Sequence, residues 1–333
     1  MFDIKSLVRP NVKNLIPYSS ARDEFKDTDS SMIFLDANEN PVENRLNRYP
    51  DPQQRAVKSV IANVRSVRPG QILLGNGSDE VLDLICRAFC IPGVDNVITL
   101  PPTYGMYGVL AAVNAIEERQ VQLTSDFQPD IEGIRSIADD NSKILFLCSP
   151  NNPTGNLFSE SKITTLLETF PGLIVIDEAY IDFCESASWV KKLATYPNLV
   201  IVQTFSKAYG MAGIRLGACF ASEAIIDILN KIKPPYNVNT LTQDKAVKRL
   251  SSDNQLVTNV SEIVEERERL RNTLAEVAIV RKVFDSDANF LLVEVDNADK
   301  RYRELIDRGI VIRNRSNQPR CQNCLRITVG TKT

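Results

Sequence analysis

The sequence predicts an α/β fold in two units, a large one on a mostly parallel central sheet flanked by helices and a smaller α+β one after it. Three observations carry this. Of 333 residues, 43% are hydrophobic and 24% charged, enough to bury a sizeable core over a length that suggests about two domains. From about Val97 to Ser222, short apolar runs alternate with mixed, helical-looking segments, which is α/β order. After Lys233-Pro234-Pro235 the texture changes to a long amphipathic segment followed by scattered strand-like runs.

Taken in order, residues 1–30 are polar and punctuated by Pro10 and Pro17, and read as an arm. The large unit is placed over 31–235. Its expected strands are Val97–Leu100, Ile144–Cys148, Leu173–Ile176, Leu199–Val202 and Gly217–Ala221, near-continuously apolar as strands covered on both faces should be. Ser159–Thr169 and Ala187–Thr195 read as helices between them. The boundary falls near Pro234–Asn239, and the small unit takes 236–333. There Ser261–Val277 predicts a helix with Ile263, Leu270, Leu274 and Val277 on one side and Glu265 with Arg269 as an i,i+4 pair. A strand at Asn289–Val295, a helical segment near Lys300–Arg308, and strand-like runs around Val311 and at Leu325–Val329 complete it.

Composition also excludes. Lys and Arg total 39 against 42 acids, a net charge of −3 with no basic tract, so neither nucleic acid nor an anionic membrane is an expected partner. Histidine is absent, which removes Ser-His-Asp triads, Cys-His dyads and HExxH zinc sites. Proton chemistry falls to Lys, Tyr, Cys or carboxylates. Seven cysteines (Cys86, Cys90, Cys148, Cys184, Cys219, Cys321, Cys324) in a chain that opens without an apolar signal segment suit reduced thiols in a cytoplasm. Cys321 and Cys324 form a lone CxxC; a zinc site would need two more thiolates, so incidental loop cysteines are expected and no metal. No apolar run approaches the roughly 18 residues of a membrane span.

Four segments carry chemistry. Thr204-Phe-Ser206-Lys207 follows the run Leu199–Val202, and Arg215 comes eight residues after Lys207, past Gly210 and Gly213. A lysine beyond a buried strand's carboxyl end sits where open α/β sheets bind ligands. Hydroxyls, lysine and arginine together suit a phosphate-bearing cofactor held covalently, though a solvated basic loop reads as well from this segment alone. Asp177 ends the run Leu173–Ile176 and needs a positive partner or donors; a protonated pyridine nitrogen would serve, and so would a helix cap role. Tyr180 either aims its hydroxyl at a ring oxygen or is a core aromatic. Ser149–Gly155 is turn chemistry that also places the Asn152 amide at a strand tip. Gly75-Asn-Gly77-Ser78-Asp79 opens an amphipathic helix, whose free amides form an anion site. A nucleotide-binding oxidoreductase reading would need a glycine where Glu80 stands.

In this order, the four segments resemble the fold-type I, pyridoxal 5′-phosphate (PLP)-dependent aminotransferases. The subgroup resembled is that of the histidinol-phosphate aminotransferases, which also holds threonine-phosphate decarboxylases. Tyr18-Ser-Ser-Ala-Arg22, Leu35–Pro41, Arg48-Tyr49-Pro-Asp-Pro52, Pro102–Tyr107, Thr204–Gly217 and Cys324–Gly330 carry that likeness, from about Leu7 to Gly330. The resemblance implies the fold-type I fold and PLP as cofactor. It implies the reaction of histidinol phosphate with 2-oxoglutarate to imidazole acetol phosphate and glutamate, in histidine biosynthesis. It makes Lys207 the Schiff-base lysine and proton shuttle, and Asp177 the partner of the pyridinium nitrogen. Asn152 and Tyr180 would hold the 3′-oxygen, and Tyr104 would stack on the ring. Ser206, Thr204, Arg215 and the Ser78–Asp79 amides would cradle the phosphate, joined by Tyr49 from a partner subunit of a homodimer. Arg326 matches the substrate-anion arginine, Arg313 a second basic residue near the substrate phosphate, and Tyr18 and Asn38 fall in the arm that closes over the substrate. Aromatic aminotransferases and threonine-phosphate decarboxylases are the alternatives within the class, since a pocket that reads imidazole often accepts phenyl.

Overall fold

Apolar runs too short for helices and bounded by turn residues become strands here, and their tips line up along one edge. The computed structural model describes residues 3–18, 20, 32–251 and 253–332, with 253–255 described by backbone alone. Seven strands form the large sheet: β1 (Ile72–Gly75), β2 (Asn96–Thr99), β3 (Glu117–Gln120), β4 (Ser142–Cys148), β5 (Leu173–Asp177), β6 (Leu199–Thr204) and β7 (Gly217–Phe220). Their order across the sheet is β1-β7-β6-β5-β4-β2-β3. The β3, β2, β4, β5 and β6 neighbours pair in parallel, and β7 runs antiparallel to both β6 and β1. The sheet is thus the mixed, mostly parallel one expected of a fold-type I transferase.

Side chains alternate along each central strand between two buried clusters. Ile174, Ile176, Leu145 and Ile201 face one, with Val57, Ile163 and Leu166 from helices. Leu173, Val175, Phe146 and Val200 face the other, with Leu82, Ile85 and Phe89. Helices therefore cover both faces, which is why these runs are apolar throughout. The edge strand β3 is the exception, with Glu117 and Gln120 exposed.

Four strands form the small antiparallel sheet, in the order β10-β11-β9-β8: β8 (Val280–Val283), β9 (Phe290–Val295), β10 (Arg313–Asn314) and β11 (Cys324–Thr328). Leu291, Val293 and Leu325 face its own cluster, with Leu270 and Leu274 of the helix Asp253–Ala275 packed against it. Phe290 and Leu292 on β9 instead join the large core, so the two sheets share apolar contact. The helix Thr240–Leu250 buries Ala246 and Leu250 in that large core as well.

Several expectations change in detail. The long helix begins at Asp253, earlier than its apolar stripe indicates. Ala187–Thr195 contains only a short 3-10 turn, Trp189–Lys192, capped by Ser188. The strand near Val311 shrinks to Arg313–Asn314, leaving Val311 exposed. Among the described residues, no helix is long and apolar enough to cross a membrane.

Candidate active site

The carboxyl ends of β4, β5 and β6 lie side by side, Cys148 opposite Asp177 and Asp177 opposite Val202. Each strand passes into a loop that carries a polar side chain over this edge. Together with the small sheet they enclose a cavity of about 650 Å³. Ser78, Asp79, Tyr104, Asn152, Asp177, Tyr180, Thr204, Ser206, Lys207, Arg215, Arg313 and Arg326 all line it, so the structure brings together most of the residues singled out from sequence.

Asp177 is the deepest of these, 3% exposed. Its Oδ2 accepts from the Tyr107 hydroxyl at 2.8 Å and its Oδ1 from the Ala179 amide at 3.0 Å. It forms no ion pair among the described residues. Burial pushes its carboxyl up to about 6, opposed by those two hydrogen bonds, with Asp79 raising it and Lys207 lowering it. A buried acid with two neutral donors and no paired cation has room for one positively charged donor more.

Lys207 is open to the cavity. Its Nζ stands 5.8 Å from the centroid of the Tyr180 ring and donates no hydrogen bond among the described residues. Partial burial lowers the ammonium from its ordinary value, and Arg326 and Arg215 lower it further against the pull of Asp177. A larger share of neutral, nucleophilic amine results.

The helix Ser78–Phe89 starts at Gly77, whose φ of +85° suits glycine. A Cβ there would stand 2.6 Å from a terminal nitrogen of Arg215, so the bare backbone lets the guanidinium approach the helix N-terminus. Gly217 on β7 passes beneath the same turn, where a Cβ would overlap the Ser78 amide nitrogen. Arg215 also lies 3.5 Å from Ser206 Oγ and 3.8 Å from Asp79, and Thr204 Oγ1 donates to Ser206 Oγ at 3.0 Å. Amides, hydroxyls and one guanidinium converge here as an anion cup. Tyr104, its hydroxyl donating to Asp79 at 3.1 Å, stands beside it.

The small sheet supplies the opposite wall. Arg326 on β11 donates to Asn152 Oδ1 and lies 5.2 Å over the ring of Phe290, which packs edge-on against Tyr180. Burial, together with Arg315 and Arg313, lowers its guanidinium below the ordinary value, and Arg315 behaves alike. The Nε atoms of Arg315 and Arg326 are buried without a hydrogen-bond partner among the described residues. Among the described residues, Lys207, Arg215, Arg313, Arg315 and Arg326 face only Asp79 and Asp177 as acids on the cavity wall, which suits ligands carrying more than one negative charge.

Three expected residues do not reach this cavity within one chain. Tyr18 and Asn38 are exposed and do not line it. Tyr49 stacks on Tyr236, ring centroids 4.4 Å apart, at a separate depression lined by Glu39, Arg48, Asn239 and Leu241. Of the Tyr18–Arg22 motif, Ser19, Ala21 and Arg22 lie outside the described residues. Conversely, Tyr107 and Arg315 belong to the site and sequence reasoning passed over them. Tyr107 stands three residues after Tyr104 and Arg315 two after Arg313, and neither proximity by itself marked them.

Comparison with known proteins identifies the family. The family model described as aminotransferase class I and II matches residues 25–333. Histidinol-phosphate aminotransferase of Flavobacterium johnsoniae is 61% identical over 332 residues, covering 99% of this chain and 95% of the relative. That of Christiangramia forsetii is 62% identical over 331 residues, covering 99% and 95%. The crystal structure of histidinol-phosphate aminotransferase from Clostridium acetobutylicum superposes with a TM-score of 0.80 at 27% identity, covering 86% of this chain and 87% of that one. A lysine free at a strand tip, a buried acid lacking a cation and a matched length from arm to last strand have one common explanation: this chain belongs to the class I and II aminotransferases.

Proposed function

We propose that the protein is a PLP-dependent histidinol-phosphate aminotransferase, exchanging the amino group between histidinol phosphate and 2-oxoglutarate in histidine biosynthesis. The observation that carries the reading is the placement of Lys207 and the cation-free Asp177 on one cavity wall, with the anion cup beside them. Identity of 61% to a relative of that name over almost the whole chain supports the substrate.

When bound, PLP supplies an electron sink that lets a Cα–H bond ionise. The chain's own residues do the rest. Lys207 would hold the cofactor covalently and, once released as a neutral amine, move the proton at Cα; no histidine is needed. Asp177 would keep the ring nitrogen protonated, Asn152 and Tyr180 would bind the ring oxygen, and Tyr104 would cover the ring. The Ser78 and Asp79 amides with Thr204, Ser206 and Arg215 would hold the cofactor phosphate. Arg326, with Arg313 and Arg315 beside it, would take the substrate anions, since a guanidinium fork binds phosphate and carboxylate alike.

The same reading includes a homodimer, in which Tyr49, Tyr18 and Asn38 serve the partner's cavity or close over it. The exposed apolar side chains Leu15 and Ile16 on the arm, with Ile33, Leu35 and Leu46 in the segment that follows it, support a covered surface there. It includes an arm over 1–30, a large unit over 31–235 and a small one over 236–333, and residence in the cytoplasm, supported by seven free thiols.

The test compares glutamate-linked turnover of histidinol phosphate, phenylalanine and threonine phosphate in one preparation. Histidinol phosphate should be the fastest by kcat/KM. Faster turnover of phenylalanine, or carbon dioxide release from threonine phosphate, would overturn the substrate assignment.

A further inference from the structure

Tyr107 lies on the helix Met106–Val113, two strands away from Asp177, yet its hydroxyl donates to Asp177 Oδ2 at 2.8 Å. The ring is completely buried. It stacks on Phe146 with centroids 4.7 Å apart and planes within 2°, and meets Tyr104 edge-on at 5.6 Å. Phe146 lies on β4, and Cys148 two residues further sits opposite Asp177 in the ladder. The hydroxyl is therefore held in place by stacking, and it fills one of the two hydrogen-bonding positions used on the Asp177 carboxylate among the described residues. The other is the Ala179 amide, a local backbone contact. Asp177 cannot turn or take up a proton at Oδ2 without giving up this bond.

Resting on the PLP reading above, we propose that Tyr107 is a positioning residue: by donating to Asp177 it fixes the carboxylate's orientation and its ionised state, and so governs how strongly the site pairs with the cofactor's ring nitrogen. A phenol that donates to a buried carboxylate favours the charged form of that acid. Among the described residues, the groups that face Asp177 are Tyr107 from its helix, Tyr104 from the loop before it, Cys148 from β4, Tyr180 from the loop after β5, Asp79 from the helix Ser78–Phe89, and Lys207 from the loop after β6. Asp79 raises the carboxyl and Lys207 lowers it, while Tyr107 offers the side-chain hydrogen bond. Removing that hydroxyl leaves the Ala179 amide as the sole donor, so the acid protonates at higher pH and competes less well for a ring N–H.

Tyr107→Phe keeps the stacked ring and deletes the hydrogen bond. The measurement is equilibrium binding of PLP to apoprotein by absorbance between pH 5 and 9, run in parallel with the carbocyclic 1-deaza analogue, which has no ring nitrogen. In the parent, PLP affinity falls as the pH drops through the Asp177 titration. In Tyr107→Phe, PLP should bind about tenfold or more weakly at pH 7, because a share of the carboxyl is then protonated and the rest is free to turn away from the ring nitrogen. The acid fall-off should begin about one pH unit higher, and the deaza analogue should bind parent and variant equally. Equal losses for PLP and the analogue, or unchanged PLP binding and pH midpoint, would overturn the proposal. Tyr107→Leu, a second variant without the hydroxyl, must show the same discrimination between the two ligands, and thermal unfolding of each apoprotein checks its fold. A parent protein that binds no PLP at all would reject the functional reading instead, a distinct outcome.

Discussion

The guanidinium of Arg326, on the last strand of the small sheet, donates to the side-chain oxygen of Asn152 at 2.5 Å, across 174 residues of sequence. The contact joins the loop after β4 to the opposite wall, so substrate-anion and ring-oxygen positions are set by one another. Arg326→Gln should therefore disturb both. The Lys207 ammonium would also lose a depressing neighbour and titrate at higher pH. Since only the neutral amine attacks the aldehyde, the rate at which apoprotein captures PLP should rise with pH, and in Arg326→Gln that rise should move alkaline. Stopped-flow absorbance across pH 6–10 checks it; a shift to lower pH would contradict the argument.

Lys207→Ala should abolish the visible absorbance of the PLP-loaded protein and reduce turnover by at least ~10⁴-fold, the loss expected when nucleophile and proton carrier are one group. Because Nζ donates no hydrogen bond among the described residues, the melting temperature of the apoprotein should change little. Absorbance spectra, steady-state rates and thermal unfolding measure the three.

Asp177→Asn should stabilise the apoprotein and weaken PLP binding. The buried carboxyl has been raised to about 6, so the folded chain binds its proton more tightly than the unfolded chain does. Its favourable contribution is thus greatest below about pH 4 and disappears as pH climbs through about 6. Against the parent, the variant should gain about 2 °C at pH 7 and less at pH 4. Calorimetry at both values tests the sign.

Gly217→Ala should cost about 2 kcal/mol or more, because its new methyl group meets the backbone of Ser78 and no rotamer change relieves it. The displaced helix start should weaken PLP binding more than it weakens binding of dephosphorylated pyridoxal. Urea melts and paired titrations give the two values; equal losses would mean that the cup is not the phosphate site.

Arg315→Ala and Arg313→Ala should each raise KM for histidinol phosphate by about tenfold, with kcat altered far less. Steady-state kinetics on both variants decide between the two arginines, which the cavity wall presents side by side.

Legibility followed burial. Leu173–Asp177 and Leu199–Thr204 announced themselves because both faces are covered and every residue is buried. Glu117–Gln120 gave no apolar signal, being an edge strand held by main-chain pairing and by polar side-chain contacts of Glu118 and Arg119. Ile72–Gly75 is buried throughout, but its three apolar residues run straight into the glycine turn that opens the next helix and do not stand out as a run. Residues at strand tips could be read because strand, loop and helix start are contiguous in sequence. Tyr107 could not, since its spacing describes a helix core aromatic and its contact with Asp177 spans 70 residues. Arg315 sits in a polar turn where an arginine ordinarily meets water. Tyr18 and Asn38 were legible as parts of motifs, yet within a single chain neither lines the cavity.

The uncompensated acid at 177 has a consequence for how long the molecule lasts. A negative charge held away from water, without a paired cation, is a standing liability until a positively charged ligand arrives. Every ligand that binds only the native form shifts the unfolding balance by mass action. Newly made copies in vitamin B6-starved cells would open more often and meet proteases sooner than copies made in plenty, so abundance of this enzyme should follow nutrient supply even at constant synthesis.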